Sequence, residues 1–300
     1  LANAATDSVE RTRPRTKAVQ VGLIGAGIQK SRTPAMHEAE GAALGLNYSY
    51  RLFDTLTDPL KDATLPEIVR AAELCGFAGL NITFPYKVAV IDHLDELSPA
   101  AEMAGAVNTV VFRNGRRSGH NTDLWGFAES FRRNMGQAAR SNVLLVGAGG
   151  AGKAVAHALI DCGVERLWIH DADRSRAEIL AEAVSLRHGA ARALAVGSLS
   201  DVDAQADGIV NATPVGMAEH PGLPVPDYLI RPQRWVADIV YFPLDTELLR
   251  VARQRGCRTL SGAGMAVFQA VRAFELFSGE KPDVGRMEAT FRSFDVASKA

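Results

Sequence analysis

Three glycines set the first chemical expectation. Val143-Leu144-Leu145-Val146 is an apolar run leading into Gly147-Ala148-Gly149-Gly150-Ala151-Gly152, so Gly147, Gly149 and Gly152 fall at GxGxxG spacing directly after a strand pattern. The first glycine permits a tight turn, the second lets backbone approach a pyrophosphate, and the third lets a helix pack close to its strand. Val155, Ala156, Leu159 and Ile160 follow at helical spacing, so the turn opens a helix whose N-terminal amides and positive dipole end suit phosphates. Asp171 lies 19 residues beyond Gly152, at the end of the next apolar run, where a carboxylate can accept ribose hydroxyls. Together these residues predict a dinucleotide site built from Gly147, Ala148, Gly149, Gly150, Ala151, Gly152 and Asp171. A 2′-phosphate would meet like charge from Asp171 and Asp173, which favours NAD; Arg174 and Arg176 are the cations that could serve NADP. Gly25-Ala26-Gly27 also follows an apolar strand, but Lys30 occupies the third position, so no second nucleotide site is expected there.

The elements around this turn read as two α/β series. In the first half, an apolar strand over Val19–Ile24, a helix over Pro34–Leu46, a strand over Tyr48–Phe53 and a helix over Leu65–Cys75 come in βαβα order. A short strand over Ala78–Thr83 follows, and Val107–Phe112 precedes Asn114-Gly115, a dipeptide suited to a hairpin turn. From Asn142 strands and helices alternate again, with Leu260 as the last strand residue and mainly helix from Val251 onward. This second series is long enough for a doubly wound parallel sheet. The expected class is α/β, with a junction near His120–Phe127.

The 300 residues are 47% hydrophobic, and 33 basic side chains balance 34 acidic ones. Such a chain can bury a large core and presents no global field favouring nucleic acid or an anionic membrane. Cys75, Cys162 and Cys257 are odd in number and widely spaced, which argues against a disulfide framework or zinc site and suits a reducing cytoplasm. Residues 1–17, with Arg11, Arg13, Arg15 and Lys17 around Pro14, read as a flexible tail without the pattern of a secretory leader. The expected partner is a small molecule, with no metal.

Several further motifs occur in order along the chain. They are Ser31-Arg32-Thr33-Pro34-Ala35-Met36-His37, Asn81-Ile82-Thr83-Phe84-Pro85-Tyr86-Lys87, Gly105-Ala106-Val107-Asn108-Thr109 and Gly119-His120-Asn121-Thr122-Asp123. Asn211-Ala212-Thr213-Pro214 and Gly264-Met265-Ala266-Val267-Phe268-Gln269 follow. With the glycine turn, this set resembles the shikimate dehydrogenase family, most closely its quinate/shikimate dehydrogenase branch, over nearly all of the chain after the tail. The resemblance implies a substrate domain of residues 18–122 and 262–300, a Rossmann-like dinucleotide domain of 123–261, and C-terminal helices returning to the substrate domain.

It also implies reversible oxidation of quinate or shikimate to the 3-dehydro acid, by hydride transfer to the nicotinamide. Lys87 and Asp123 match the family's catalytic pair, the lysine accepting a proton or stabilising oxygen charge while the aspartate orients it. Ser31 and Thr33 are carried over as donors to the substrate carboxylate; helix capping is the alternative for either. Asn81, Thr83, Asn108 and Gln269 are carried over for the ring hydroxyls, with Tyr241 and Met265 as walls. Asn211, Thr213, Pro214 and Gly262 complete the nicotinamide side, and Arg176 the adenosine side. The Ser-Arg-Thr sequence, in place of Ser-x-Ser, points toward quinate, and Asp171-Ala172-Asp173, in place of the Asn-Arg-Thr of NADP-using members, points toward NAD. The alternatives are an NADP-linked biosynthetic shikimate dehydrogenase and a non-catalytic quinate or shikimate sensor. A monomer or homodimer fits either.

Overall fold

The computed structural model describes residues 16–202 and 205–297. The first sheet contains β1 (Ala18–Gly25), β2 (Asn47–Asp54), β3 (Gly79–Ile82), β4 (Glu96–Leu97), β5 (Thr109–Arg113) and β6 (Arg116–His120). Their order is β2-β1-β3-β5-β6-β4, with β1 parallel to β2 and β3, and β5 antiparallel to β3 and β6. Asn114 and Gly115 turn the β5–β6 hairpin at φ of 55° and 71°, the left-handed pair that an Asn-Gly hairpin turn requires.

The second sheet contains β7 (Asn142–Val146), β8 (Arg166–His170), β9 (Ala193–Ala195), β10 (Gly208–Asn211), β11 (Trp235–Asp238) and β12 (Arg258–Leu260). Every pair is parallel, in the order β12-β11-β10-β7-β8-β9. This is the doubly wound arrangement, in which the chain reverses direction beside its first strand and ligands bind at the carboxyl ends of the strands at that reversal. Here the reversal lies between β7, which feeds the glycine turn, and β10, which feeds Asn211-Ala212-Thr213-Pro214. Val143, Leu144 and Leu145 are wholly buried, as expected where helices cover both faces of a parallel sheet.

The helices are α1 (Thr33–Ala43), α2 (Leu65–Leu74), α3 (Pro99–Ala104), α4 (Thr122–Met135), α5 (Gly150–Asp161), α6 (Arg174–His188), α7 (Glu247–Gln254), α8 (Gly262–Ser278) and α9 (Val284–Ala297). Helix α4 roots in the core of the second sheet, where Phe127 and Phe131 pack with Val143, Leu145 and Trp235. Truncating either phenylalanine to alanine there would cost about 3–5 kcal/mol. Helix α8 contributes Val267, Val271, Phe274 and Phe277 to the core of the first sheet, beside Val19, Val21 and Tyr48. The two helices meet on glycines: a Cβ at Gly126 would lie 2.8 Å from the Gln269 backbone nitrogen, and one at Gly264 would lie 2.1 Å from Ser130 Oγ.

Three local expectations need correction. Helix α1 begins at Thr33 with Arg32 as its N-cap, so Pro34 is its second residue and not its first. Lys17, read as part of the tail, donates to the Ser278 carbonyl, and its own carbonyl accepts from Asn47; it is fixed to the end of α8 and to the start of β2. The rest of that tail, through residue 15, lies outside the described residues. Helix α3 was not anticipated, and α7 starts at Glu247, ahead of the helical stretch expected from Val251, although Ser98-Pro99 and Thr246-Glu247 carry ordinary start signals, with Ser98 and Thr246 as side-chain caps.

Candidate active site

Lys87 and Asp123 meet across two segments that the fold holds separately. Asn121 caps α4: its Oδ1 accepts from Leu124 N at 3.1 Å and its Nδ2 donates to the Ala106 carbonyl at 2.9 Å. Asp123 therefore sits in the first turn, where the helix dipole favours a carboxylate. Lys87 follows β3, and its carbonyl accepts from Val107 N at 2.8 Å. From these anchors Lys87 Nζ donates to Asp123 Oδ2 at 2.7 Å, the two side chains being 25% and 11% exposed. The geometry is that of a charge-assisted hydrogen bond, sheltered yet reachable, able to hold or move a proton at Nζ.

The neighbouring amides are bonded within the fold. Asn108 is buried and organises the start of α4, its Oδ1 accepting from Thr122 N at 2.8 Å and its Nδ2 donating to Thr122 Oγ1 at 3.0 Å. Asn81 departs from the expectation. Its Nδ2 donates to Thr109 Oγ1 at 3.0 Å and to the Asn108 carbonyl at 3.3 Å, and its Oδ1 accepts from Tyr50 at 2.7 Å. Its amide is turned inward and ties β3 to β5. Thr83, half-buried, packs so close to β1 that a Cβ on Gly25 would lie 2.3 Å from its methyl. Gln269, half-buried, lies on α8 against α4, one turn past Asp123, and its Nε2 donates to the Ala266 carbonyl at 3.0 Å.

Ser31 and Thr33 flank Arg32, and Ser31 Oγ accepts only a long bond of 3.4 Å from Thr33 N. No side-chain cap closes α1, so capping does not account for either hydroxyl. Arg32 donates to the Phe291 carbonyl at 2.9 Å and lies over the Phe291 ring at 4.8 Å. Tyr241 is half-exposed, 6.5 Å from the same ring, and its phenol lies within electrostatic reach of Lys87, Asp123 and Arg32. His37, at the end of the same motif, is wholly buried, bonded to Tyr48 and held down to a pKa of about 3 by desolvation, so it serves packing.

The glycine turn fits a dinucleotide. Gly147 has φ of 104°, and a Cβ on Gly152 would lie 2.0 Å from the Gly147 carbonyl oxygen, so the third glycine is fixed by contact between helix and strand. A Cβ on Gly149 or Gly150 would meet no protein atom within 4 Å. Gly149 is the N-cap of α5 and supplies no side-chain cap, leaving the first amides of that helix directed outward, as an anion site needs. Asp171 Oδ2 accepts from Ala148 N at 2.7 Å and Oδ1 from Asp173 N at 2.9 Å, which fixes the carboxylate beside the turn with lone pairs remaining. Arg176 lies 3.3 Å from Asp173 in an exposed pair. At the other glycine pair, the amides of Gly27, Ile28 and Leu56 donate to the Asp54 carboxylate, so that loop spends its donors within the protein.

The wall opposite the turn is held from below. Asn211 is wholly buried: Nδ2 donates to the Val215 carbonyl and to Asp238 Oδ1, each at 2.9 Å, and Oδ1 accepts from Thr213 N and Oγ1. Its side chain shapes the loop, while Pro214 is exposed, Thr213 is half-buried and Ala212 packs against Gly147. Asp238 also accepts from Val240 N at 3.0 Å and from Thr246 Oγ1 at 2.7 Å. Burial pushes the Asp238 carboxyl up to about 6 against the opposing effect of those hydrogen bonds. Gly262 opens α8 where a Cβ would lie 2.4 Å from the Ile239 carbonyl oxygen, and Met265 is buried behind it. Sequence reasoning missed Asp238, Thr246 and Asn121; the available signal was an acid closing the apolar run Trp235–Val240 and a cap-type residue before each helix.

Among the described residues no helix is long and apolar enough to cross a membrane. Residues 23–110 match the shikimate dehydrogenase substrate binding domain, 129–219 the shikimate / quinate 5-dehydrogenase family, and 262–290 the shikimate 5'-dehydrogenase C-terminal domain. The chain is 54% identical over 271 residues to a shikimate dehydrogenase (NADP(+)) of Streptomyces avermitilis, covering 90% of this chain and 93% of that one. It is 50% identical to a quinate/shikimate dehydrogenase (NAD(+)) of Corynebacterium efficiens, over 92% and 98%. Its fold superposes with a TM-score of 0.89 on quinate dehydrogenase from Corynebacterium glutamicum in complex with NAD, at 48% identity, covering 93% of this chain and all of that one. On these matches, which span both sheets and the returning helices, the chain belongs to the shikimate dehydrogenase family.

Proposed function

We propose that this protein is an oxidoreductase that reversibly oxidises quinate and shikimate at one ring hydroxyl to the 3-dehydro acid, with NAD preferred over NADP. The observation that carries the reading is the 2.7 Å bond between Lys87 Nζ and Asp123 Oδ2, in a chain whose glycine turn fits a dinucleotide. The nicotinamide, when bound, supplies the hydride acceptor. Lys87 takes the hydroxyl proton or steadies charge on that oxygen, and Asp123 orients Nζ. Ser31 and Thr33 hold the acid's carboxylate without adding fixed charge. Thr83, Asn108 and Gln269 address the ring hydroxyls, Asn81 supporting them from beneath. Tyr241 and Met265 wall the reacting centre.

Gly147 through Gly152 cradle the pyrophosphate, and Asn211, Thr213, Pro214 and Gly262 shape the nicotinamide side. Asp171 supports NAD: its carboxylate is anchored beside the turn, and a 2′-phosphate there meets the like charge of Asp171 and Asp173. Residues 18–122 with 262–300 form the substrate domain in this reading and 123–261 the nucleotide domain. A cytoplasmic monomer or homodimer fits it, to be settled by light scattering.

The test is a crossed assay of quinate and shikimate with NAD and NADP, followed by NADH or NADPH absorbance. Both acids should be turned over, with higher kcat/KM for NAD. Higher kcat/KM with NADP removes the cofactor assignment, activity on shikimate alone removes quinate, and tight acid binding without reduction of either nucleotide makes the protein a sensor.

A further inference from the structure

Asp238 stands at the end of β11, 2% exposed, with no cation among its bonded partners. A buried carboxylate is costly unless its oxygens are well satisfied. Here three neutral donors do so, and each comes from a different segment: Asn211 from the end of β10, Val240 from the connection after β11, and Thr246 from the start of α7. Helix capping does not explain the arrangement, because Thr246 Oγ1 itself accepts from Leu249 N at 3.3 Å.

The segments that Asp238 joins lie on the two sides of the reaction. Through Asn211 it fixes the loop of Ala212 and Thr213, whose backbone is the surface that a Cβ on Gly147 would strike at 2.7 Å. Through Val240 N it fixes the residue adjoining Tyr241, whose phenol feels the charges of Lys87 and Asp123. We infer that Asp238 is a positioning residue that sets the nicotinamide-side loop of 211–215 and Tyr241 in register with each other. The inference rests on the function proposed above and adds to it a residue remote from substrate.

The consequence is selective. Removing the carboxylate releases the wall of the nucleotide turn and Tyr241, while the Ser31–Thr33 segment, Asn108 and Asp123 keep their own anchors. Asp238→Ala should therefore raise the Kd for NADH about tenfold and lower kcat about tenfold to a hundredfold, as displacement by about 1 Å does. The Kd for shikimate without nucleotide should rise less than the Kd for NADH, because Tyr241 is the one substrate-side residue released. Asp238→Asn keeps an oxygen for Asn211 and Val240 and should restore most of kcat. Thr246→Val, which removes the Oδ2 donor, should raise the NADH Kd more than the shikimate Kd.

The experiment measures NADH binding by fluorescence, shikimate binding by calorimetry, steady-state kinetics and Tm for the four proteins. A folded Asp238→Ala enzyme with wild-type NADH affinity and kcat overturns the inference, as do equal losses in nucleotide and shikimate binding, which mark general loosening. If Asp238→Ala does not fold, Thr246→Val decides: unchanged NADH binding overturns it. Wild-type protein that reduces neither nucleotide with either acid defeats the proposed function instead, while the NADH and shikimate Kd values still judge Asp238.

Discussion

Lys87 Nζ and Asp123 Oδ2 lie 2.7 Å apart although one side chain leaves the connection after β3 and the other leaves the first turn of α4. The lysine is thereby delivered to one place and one orientation. Lys87→Ala should lower kcat by a factor on the order of 10² or more while leaving the Kd for NADH unchanged, since the glycine turn is built from other elements. Stopped-flow and binding measurements on one preparation check this, and normal turnover in the variant would remove Lys87 from the mechanism.

The glycines of the turn should separate by experiment. A methyl on Gly149 meets open space, whereas one on Gly152 strikes the Gly147 carbonyl oxygen at 2.0 Å. Gly149→Ala should therefore keep the wild-type Tm and weaken NADH binding, and Gly152→Ala should lose about 1–3 kcal/mol of stability as an overpacked contact. Thermal melts beside NADH titrations test the pair; equal Tm values for both variants contradict the assigned contact.

Asp171→Asn should reduce the preference for NAD. A hydrogen bond to a charged group is worth about 1.5–3 kcal/mol, so the ratio of kcat/KM for NAD over NADP should fall about tenfold or more. An unchanged ratio would mean that the carboxylate serves only Ala148 N and Asp173 N.

Stability should fall in mild acid through two buried histidines. Desolvation holds His157 down to about 4, with the neighbouring His188 adding to the shift, and His37 down to about 3. Between about pH 6.5 and those values the unfolded chain takes up protons that the folded chain refuses. The stabilisation is complete above about 6.5 and is lost as pH falls, at up to about 1.4 kcal/mol per pH unit for each histidine. Urea unfolding of wild type and His157→Gln at pH 7, 6 and 5 should give the shallower dependence in the variant; equal slopes would show that His157 is protonated in the folded state.

The nucleotide turn was legible because its pattern is local: strand, turn and helix follow one another in the chain, and Gly152 answers to Gly147 within that unit. Lys87 and Asp123 were legible only through resemblance, since nothing in the local sequence of either announces the other. Asn81 and Asn211 were assigned as ligands, yet their amides are spent on β5 and on Asp238. Which way a buried amide faces depends on partners distant in the chain, such as Tyr50 for Asn81, and sequence spacing does not report that. Asp238 was passed over for the same reason, as one acid closing an apolar run. Helix α3 escaped because six residues are too few for a periodic pattern.

Helix α4 imposes a rule on length. Its Phe127 and Phe131 are locked among the strands of the second sheet, and its Gly126 is pressed against α8, so the helix cannot turn about its axis. A single residue inserted or removed between Asp123 and Phe127 would swing the carboxylate by about 100° and slide it by about 1.5 Å. Loops remote from the site can lengthen or shorten without touching the chemistry, but this one helical turn must keep its count, and a chain that lost it would keep its fold and its nucleotide while Lys87 faced no partner.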